Sequence, residues 1–365
     1  MQMKKIQIAL VSKETLPVFY MINELRPDEV YLVGTKETQN EMHYIKAVAK
    51  SIGVVCHELT TQPDSMQDCM RVCDSVHARN VEGDCEYCYN LTCGTKLMAF
   101  GALICAQSHK ANAVYTDVSS YTDFSDFERH DITKLLSTDT MIALQGQKVK
   151  AKEIYHYDAE RIECANEVRN FIENHPKEYK VLMTNYIDYK YLPNPFRVGK
   201  LLYYRDGGRL VVEYDDVEVF SSDYKDAFKM LLEGRWWETL VANVVAKWAG
   251  EDREVWTNVR FEPNAKTQRN DKNEIDVLVN IGNALLFVEC KSGSFTQDNI
   301  YKLSSVFKTY GSYKSRGVIV SYRSNVIKPD LEEKAKEERV SLLVPNRSMA
   351  DLFVKLDKVV NTLKS

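Results

Sequence analysis

Two short stretches in the last third of the chain carry charged side chains where apolar ones would be expected. They are residues 273–280 (Asn-Glu-Ile-Asp-Val-Leu-Val-Asn) and 285–293 (Leu-Leu-Phe-Val-Glu-Cys-Lys-Ser-Gly). Both read as strands. Strand side chains alternate faces with a period of two, so Glu289 and Lys291 share one face while Val288 and Cys290 take the other, and Glu274 and Asp276 share a face likewise. An aspartate on one strand, with Glu-x-Lys on the next, can hold a divalent cation between carboxylates and aim an ammonium at the same point. That combination suits metal-assisted hydrolysis of a phosphodiester. Glu-x-Lys by itself is common in solvated strands. Here it follows Leu285–Val288, a buried-strand run that a surface ion pair or a charged edge strand does not explain.

The elements that must position these residues begin with a helix expected from about Lys225 to Trp248, carrying Gly234-Arg235-Trp236-Trp237-Glu238 in its interior. Leu231, Trp237, Val241 and Val244 give it an apolar face, with the Glu238 carboxylate beside it. Strands are expected at Glu254–Phe261, Glu274–Ile281 and Ala284–Cys290, then a helix near Gln297–Tyr310 and a strand at Gly317–Ser321. Helices near Asp330–Glu338 and Ser348–Leu363 complete the region. This α-β-β-β-α-β order, with Glu238, Asp276, Glu289 and Lys291 where they fall, resembles the restriction-endonuclease core of the PD-(D/E)xK nuclease superfamily. The resemblance implies that Asp276, Glu289 and the carbonyl of Cys290 hold Mg²⁺ or Mn²⁺, hard cations that prefer oxygen donors. It also implies that Lys291 positions the attacking water, that Glu238 holds a water from the helix side, and that Glu274 and Gln297 support the set.

At 365 residues the chain exceeds one ordinary core and suits two or more domains. No run approaches a membrane span, and the start, Met1–Ile6, enters a strand too soon for a secretory signal, so a cytoplasmic protein with no membrane partner is expected. A net charge of −4 excludes a uniformly basic surface, so nucleic-acid contacts would come from local, salt-sensitive clusters. Nine cysteines without a secretory signal are expected to be reduced and mostly buried. Cys85-x-x-Cys88 has zinc-knuckle spacing, but Cys69 and Cys73 sit four apart, as on one helix face, so all four are expected to be core residues.

Residues 1–148 alternate short apolar runs with amphipathic segments: strand Ile6–Val11, helix Leu16–Leu25, strand Val30–Val33, helix near Glu41–Ser51, strand Gly53–Leu59 and helix Met66–His77. Such alternation predicts a Rossmann-like α/β domain with a parallel sheet, whose ligands sit beyond the carboxyl ends of the strands. Two loops fall at that edge. One is Ser12-Lys13-Glu14-Thr15. In the other, Tyr89–Ala99, Gly94 permits a tight turn while Thr95 and Lys96 open a helix whose free N–H groups suit an anion. Neither a Walker loop nor G-x-G-x-x-G is present. On residues alone, a phosphate site and a plain Thr N-cap on a core helix stand equal.

The run Asn90-Leu91-Thr92-Cys93-Gly94-Thr95-Lys96-Leu97-Met98 resembles the ligand loop of CARF domains, the CRISPR-associated Rossmann-fold sensors, where it commonly reads N-x-T-G-G-T-K-x-M. Cys93 stands where a glycine is usual. CARF domains pair as homodimers and bind a cyclic oligoadenylate across the two-fold axis. The resemblance therefore implies that Asn90, Thr92–Lys96 and Met98 bind such a ligand, joined by Ser12, Lys13 and Thr15 and, after the fifth strand, by Thr116 and Asp117.

Residues 149–224 read as a connector with a helix across Ala159–Glu173 and a hairpin, Leu201–Tyr204 and Leu210–Tyr214, turning at Asp206-Gly207-Gly208. The aromatic and basic stretch Tyr189–Lys200 suits either a single-strand groove, with Arg197 and Lys200 following phosphates, or interdomain packing. With a C-terminal nuclease-like domain over 225–365, the whole chain resembles CARF nucleases of type III CRISPR systems. That implies a homodimer whose metal-dependent cleavage of DNA or RNA is switched on by a cyclic oligoadenylate, the tetra-adenylate being expected. Two other readings stay open: a ligand-independent restriction or repair nuclease, and a non-enzymatic cyclic oligoadenylate sensor.

Overall fold

The computed structural model describes residues 3–80, 84–117, 119–189, 192–262, 274–324, 327–346 and 348–364. Asn273, Lys190 and Tyr191, named above, lie outside the described residues.

The chain opens with β1 (Lys4–Leu10), whose last five residues are all buried, as a strand covered on both faces requires. It continues through α1 (Leu16–Leu25), β2 (Glu29–Gly34), α2 (Gln39–Ser51), β3 (Val55–Thr60), α3 (Met66–Arg79), β4 (Cys85–Asn90), α4 (Lys96–Ser108) and β5 (Asn112–Thr116). Two short strands, β6 (Ser120–Asp123) and β7 (Arg129–Asp131), and α5 (Thr138–Ala143) complete this unit. Its sheet runs β3-β2-β1-β4-β5-β6-β7, parallel from β3 to β5 and antiparallel beyond. The parallel core matches the sequence reading; the antiparallel extension was not anticipated. The winding reverses between β1 and β4, so the loops after these two strands flank the switch-point crevice where open α/β sheets bind ligands.

Next come β8 (Val149–Ile154), α6 (Ala159–Asn174), α7 (Pro176–Tyr189), β9 (Phe196–Val198), β10 (Leu201–Asp206), β11 (Arg209–Tyr214) and β12 (Val217–Ser222). Strands β9 to β12 form an antiparallel sheet in the order β12-β11-β10-β9. The β10–β11 hairpin turns at Gly207 and Gly208, at φ 56° and 98°, a left-handed pair that glycine adopts at little cost. The remainder comprises α8 (Ala227–Leu232), α9 (Arg235–Ala249), β13 (Val255–Phe261), β14 (Glu274–Asn280), β15 (Leu285–Lys291), α10 (Gln297–Tyr310), β16 (Arg316–Ser321), α11 (Pro329–Glu337), β17 (Val340–Leu343) and α12 (Leu352–Lys364). The last sheet runs β17-β16-β15-β14-β13-β8, with β15, β16 and β17 parallel and the rest antiparallel.

Helix α7 and strands β9 and β12 were not anticipated, and three further differences bear on the last sheet. Residues 149–154 are not connector: β8 is the edge strand of the last sheet, paired with β13. Helix α6 packs on α9, with Cys164, Val168 and Phe171 in one apolar cluster with Trp237, Val241 and Val288. The expected helix through Gly234 is instead two helices. Gly234, at φ 79°, is the left-handed N-cap of α9, because only glycine takes that conformation freely. The third difference is β17, an edge strand missing from the reading.

The two large sheets share core. One apolar cluster extends from Ile8 and Phe19 to Trp256 and Phe287. The Tyr20 hydroxyl donates to the Gly282 carbonyl at 2.7 Å, and the Asn280 amide to the Leu136 carbonyl at 2.8 Å.

Candidate functional site

Regular pairing of β14 with β15 covers Val277↔Val288 to Asn280↔Leu285. One residue beyond, a side chain takes over: the Cys290 main-chain N–H donates to Asp276 Oδ2 at 2.6 Å. Asp276 is thereby anchored beside Glu289 at the point where the ladder opens. Lys291 Nζ bonds Glu289 Oε1 at 2.6 Å, with the two side chains 24% and 12% exposed.

Glu238 reaches this point from the first turn of α9, where the helix dipole favours a negative charge. The break at Gly234 and the tryptophans after it set the direction. Trp237 Nε1 donates to the Val320 carbonyl of β16 at 2.9 Å, and the Trp236 and Trp237 rings pack on Tyr322 with centroids 4.9 and 5.3 Å away.

The electrostatics are those of crowded carboxylates. Burial raises the Glu238 carboxyl above its ordinary value; Arg235 draws it back, and Glu289 and Glu274 push it up. Asp276 is held well above its ordinary value by burial first, then by Glu289 and Glu238, against the Cys290 hydrogen bond and Lys291. Burial alone would lower the Lys291 ammonium, but Glu289 and Asp276 outweigh it and hold it above its ordinary value. Lys291 is therefore a fixed cation, suited to offsetting charge and placing a water. The Cys290 thiol is buried and pushed well up, by desolvation first and then by Asp276, Glu238 and Glu289, so only its carbonyl is available as a hard donor. Half-buried carboxylates that repel one another, with one ammonium among them, fit a divalent cation taking oxygen ligands. Glu274 pairs with Arg260 across β13 and β14 at 3.2 Å, and Gln297 opens α10, half-buried.

At the switch point of the first sheet, the structure brings the loops after β1, β4 and β5 together. Asn90 is fully buried and shapes its loop from inside: its Oδ1 accepts from the Thr92 N–H at 3.1 Å and the Thr92 hydroxyl at 2.5 Å. Thr92 Oγ1 accepts in turn from the Thr116 N–H at 2.8 Å. Cys93 is buried, its thiol donating to the Glu14 carbonyl at 3.5 Å, which ties this loop to the first. Gly94, at φ 79°, turns the chain outward. Thr95 caps α4, accepting from the Met98 N–H at 3.2 Å and donating to the Pro63 carbonyl at 2.6 Å, while Met98 is buried. Gly94, Thr95 and Lys96 form the exposed tip, with the open N-terminus of α4 behind them.

Some expected contacts fall elsewhere. Thr15 is 1% exposed and donates to the Leu144 carbonyl at 2.9 Å, so its hydroxyl holds the domain together instead of facing the crevice. Lys13 pairs with Glu41 at 3.0 Å, and the Ser12 hydroxyl accepts from the Glu14 N–H at 3.2 Å. Thr116 is buried, and Asp117 pairs with Arg129 at 3.4 Å. The cations of the middle stretch are matched locally: Lys200 pairs with Asp215 at 2.5 Å, and Arg197 lies 4.0 Å from Asp216. The cysteine grouping separates, with Cys69 and Cys73 buried on α3 and Cys85 and Cys88 half-buried on β4.

Two contacts have no sequence signal, because their partners lie far apart in the chain. The loop between α10 and β16 reaches the crevice rim, where the Tyr313 main chain faces the Glu14 carboxyl, whose pKa burial raises and this contact lowers by less, and Lys314 Nζ lies 3.9 Å from Asp117. It joins the last sheet directly to the first and third crevice loops.

Comparison with known proteins gives two family matches. Residues 6–145 match the Card1 CARF domain, and residues 225–357 match the Card1-like endonuclease domain. No curated protein gives a significant match. Among solved structures, Can2 from Sulfobacillus thermosulfidooxidans, solved with cyclic tetra-adenylate, is similar at TM-score 0.76 and 16% identity, over 98% of this chain and 99% of that one. Protein VC1899 from Vibrio cholerae is similar at TM-score 0.74 and 14% identity, over 99% of each chain. A type III CRISPR defence DNA nuclease activated by cyclic oligoadenylate aligns at TM-score 0.56 and 18% identity, over 88% of this chain and 46% of that one. At these identities the likeness is one of fold.

Proposed function

We propose that this chain, which matches a Card1 CARF domain and a Card1-like endonuclease domain in succession, is a cyclic oligoadenylate-activated, divalent-metal-dependent nuclease of type III CRISPR defence. The observation that carries this reading is the presence, in one chain, of an exposed Gly-Thr-Lys loop at a switch point and a half-buried Asp-Glu-Lys cluster, with the loop of Tyr313 and Lys314 linking the last sheet to the crevice rim.

Cyclic tetra-adenylate is the ligand favoured, since a fold-level relative was solved with it. Gly94–Lys96 and the first N–H groups of α4 would take its phosphates. A homodimer is supported by α4 itself: Leu97, Phe100 and Ile104 lie on one side of the helix and are 42%, 57% and 38% exposed, an apolar stripe beside the ligand loop that a second copy would cover. Ligand bound between two such copies shifts the population only to the extent that it binds the active arrangement better.

In the last sheet, Asp276, Glu289 and the Cys290 carbonyl would hold Mn²⁺ or Mg²⁺, which supplies Lewis-acid polarisation of the phosphodiester and of water. Glu238 accepts a hydrogen bond from that water on the helix side. Lys291, held by Glu289, orients the water and offsets charge that builds on the phosphoryl oxygens. The test is cleavage of labelled DNA and RNA in Mn²⁺ by wild type and by a Glu289→Ala, Lys291→Ala double variant. Loss of cleavage in the variant is expected; full activity would remove this site from the reaction.

A further inference from the structure

Helices α3 and α4 pack side by side, and their facing sides hold donor atoms that neither proposed site uses. His77 on α3, and Cys105 and His109 at the end of α4, each present a ligand atom within 4.8 Å of the others. Asp74, one turn before His77, joins them: its Oδ1 lies 3.0 Å from Cys105 Sγ and 2.9 Å from His109 Nε2. The His77 and His109 rings are parallel, 3.7 Å between centroids and 6° between planes. The Tyr89 hydroxyl closes the base, 2.8 Å from His77 Nε2 and 3.3 Å from Cys105 Sγ.

We propose that Asp74, His77, Cys105 and His109 bind a zinc ion that cross-links α3 to α4. The spacings are those of ligands on helix faces, Asp74 and His77 at i, i+3 and Cys105 and His109 at i, i+4. One thiolate, two imidazoles and one carboxylate suit a borderline-soft dication, whereas Mg²⁺ and Mn²⁺ favour the all-oxygen set near β15. Four protein donors make a closed, structural site. Zinc–ligand bonds of about 2.0–2.3 Å place tetrahedral donors roughly 3.3–3.8 Å apart, so the Asp74 contacts open by about half an ångström, the other donors draw in from within 4.8 Å of one another, and the two imidazoles turn out of their parallel stack to aim both nitrogens at one point. Thiolate and carboxylate together balance the charge of the ion. The consequence is mechanical. Helix α4 starts at the ligand loop and carries the apolar stripe, and a metal staple at its far end would fix its angle to α3.

The full-length protein, grown with added zinc and dialysed into zinc-free buffer, should retain one zinc per chain by elemental analysis. Cys105→Ser and His109→Ala should each bind zinc at least about 100-fold more weakly, removal of a ligand costing no less than removal of a partner that only orients one. Asp276→Asn should keep its zinc, which separates this site from the nuclease cluster. Cobalt-loaded wild type should show thiolate-to-cobalt charge-transfer absorption that Cys105→Ser lacks. Wild type that takes up no zinc at micromolar free ion would overturn the proposal, as would unchanged zinc content in a Cys105→Ser, His109→Ala double variant.

Discussion

Asp276→Asn should make the metal-free protein more stable and the metal-loaded protein less so. In the cluster, the Glu289 charge is met by Lys291 at 2.6 Å and Glu238 is drawn toward its charged form by Arg235, which leaves Asp276 with one strong compensation, the Cys290 N–H. Asparagine keeps an oxygen for that N–H and removes the charge. A relieved active-site strain of this kind is worth about 1–2 kcal/mol, or a rise in Tm of roughly 2–8 °C for a cooperative unit of this size. The pH dependence has a definite sign. Asp276 binds its proton more tightly folded than unfolded, so its contribution to stability is full below the ordinary value of 3.8 and is lost as pH rises through the folded value. The advantage of the variant should therefore be small in acid and grow toward neutral pH. With Mn²⁺ at about a hundred times its dissociation constant, wild type gains about 2.7 kcal/mol, the variant gains far less, and the order reverses. Differential scanning fluorimetry with and without Mn²⁺ across this pH range reads both effects. A variant no more stable than wild type without metal, or one that keeps the full Mn²⁺ shift, would refute the reasoning.

Lys291→Met should lower cleavage by about 10²–10³-fold and cost about 2 kcal/mol of stability, less than a fully buried pair because Lys291 is a quarter exposed; cleavage kinetics and urea titration check it, and cleavage unchanged would place the lysine outside the reaction. Lys96→Glu should weaken cyclic tetra-adenylate binding by about 10–100-fold, the worth of one charged hydrogen bond, with the remaining affinity less salt-dependent; unchanged affinity by calorimetry would dismiss the loop. Phe100→Glu with Ile104→Glu should give a monomer by sedimentation while keeping the far-ultraviolet spectrum, and a persisting dimer would place the two-fold axis elsewhere.

What was legible in the sequence follows from where the information lies. The period-two placement of Glu289 and Lys291, and the apolar run before them, reported a buried strand because alternation is local. The Gly-Thr-Lys tip reported a helix start for the same reason: Thr95 caps α4, and Lys96 is exposed. Gly234 was read through as helix interior, because the apolar face on either side outweighed a residue whose φ the pattern does not reveal. Thr15 looked like a crevice residue from its loop; its partner, the Leu144 carbonyl, is 129 residues away. Cysteine spacing drew attention to Cys85-x-x-Cys88, while the donors that converge come from two helices 28 residues apart in sequence, His77 and Cys105.

The most direct measurement is the rate at which the full-length protein cleaves labelled nucleic acid in Mn²⁺, with and without cyclic tetra-adenylate. A coupling of 1–3 kcal/mol between the sites corresponds to about 5–150-fold, so ligand should raise the rate by at least about fivefold, and Lys96→Glu should need about 10–100-fold more ligand for the same rise while leaving the low basal rate. Equal rates with and without ligand would contradict the switch.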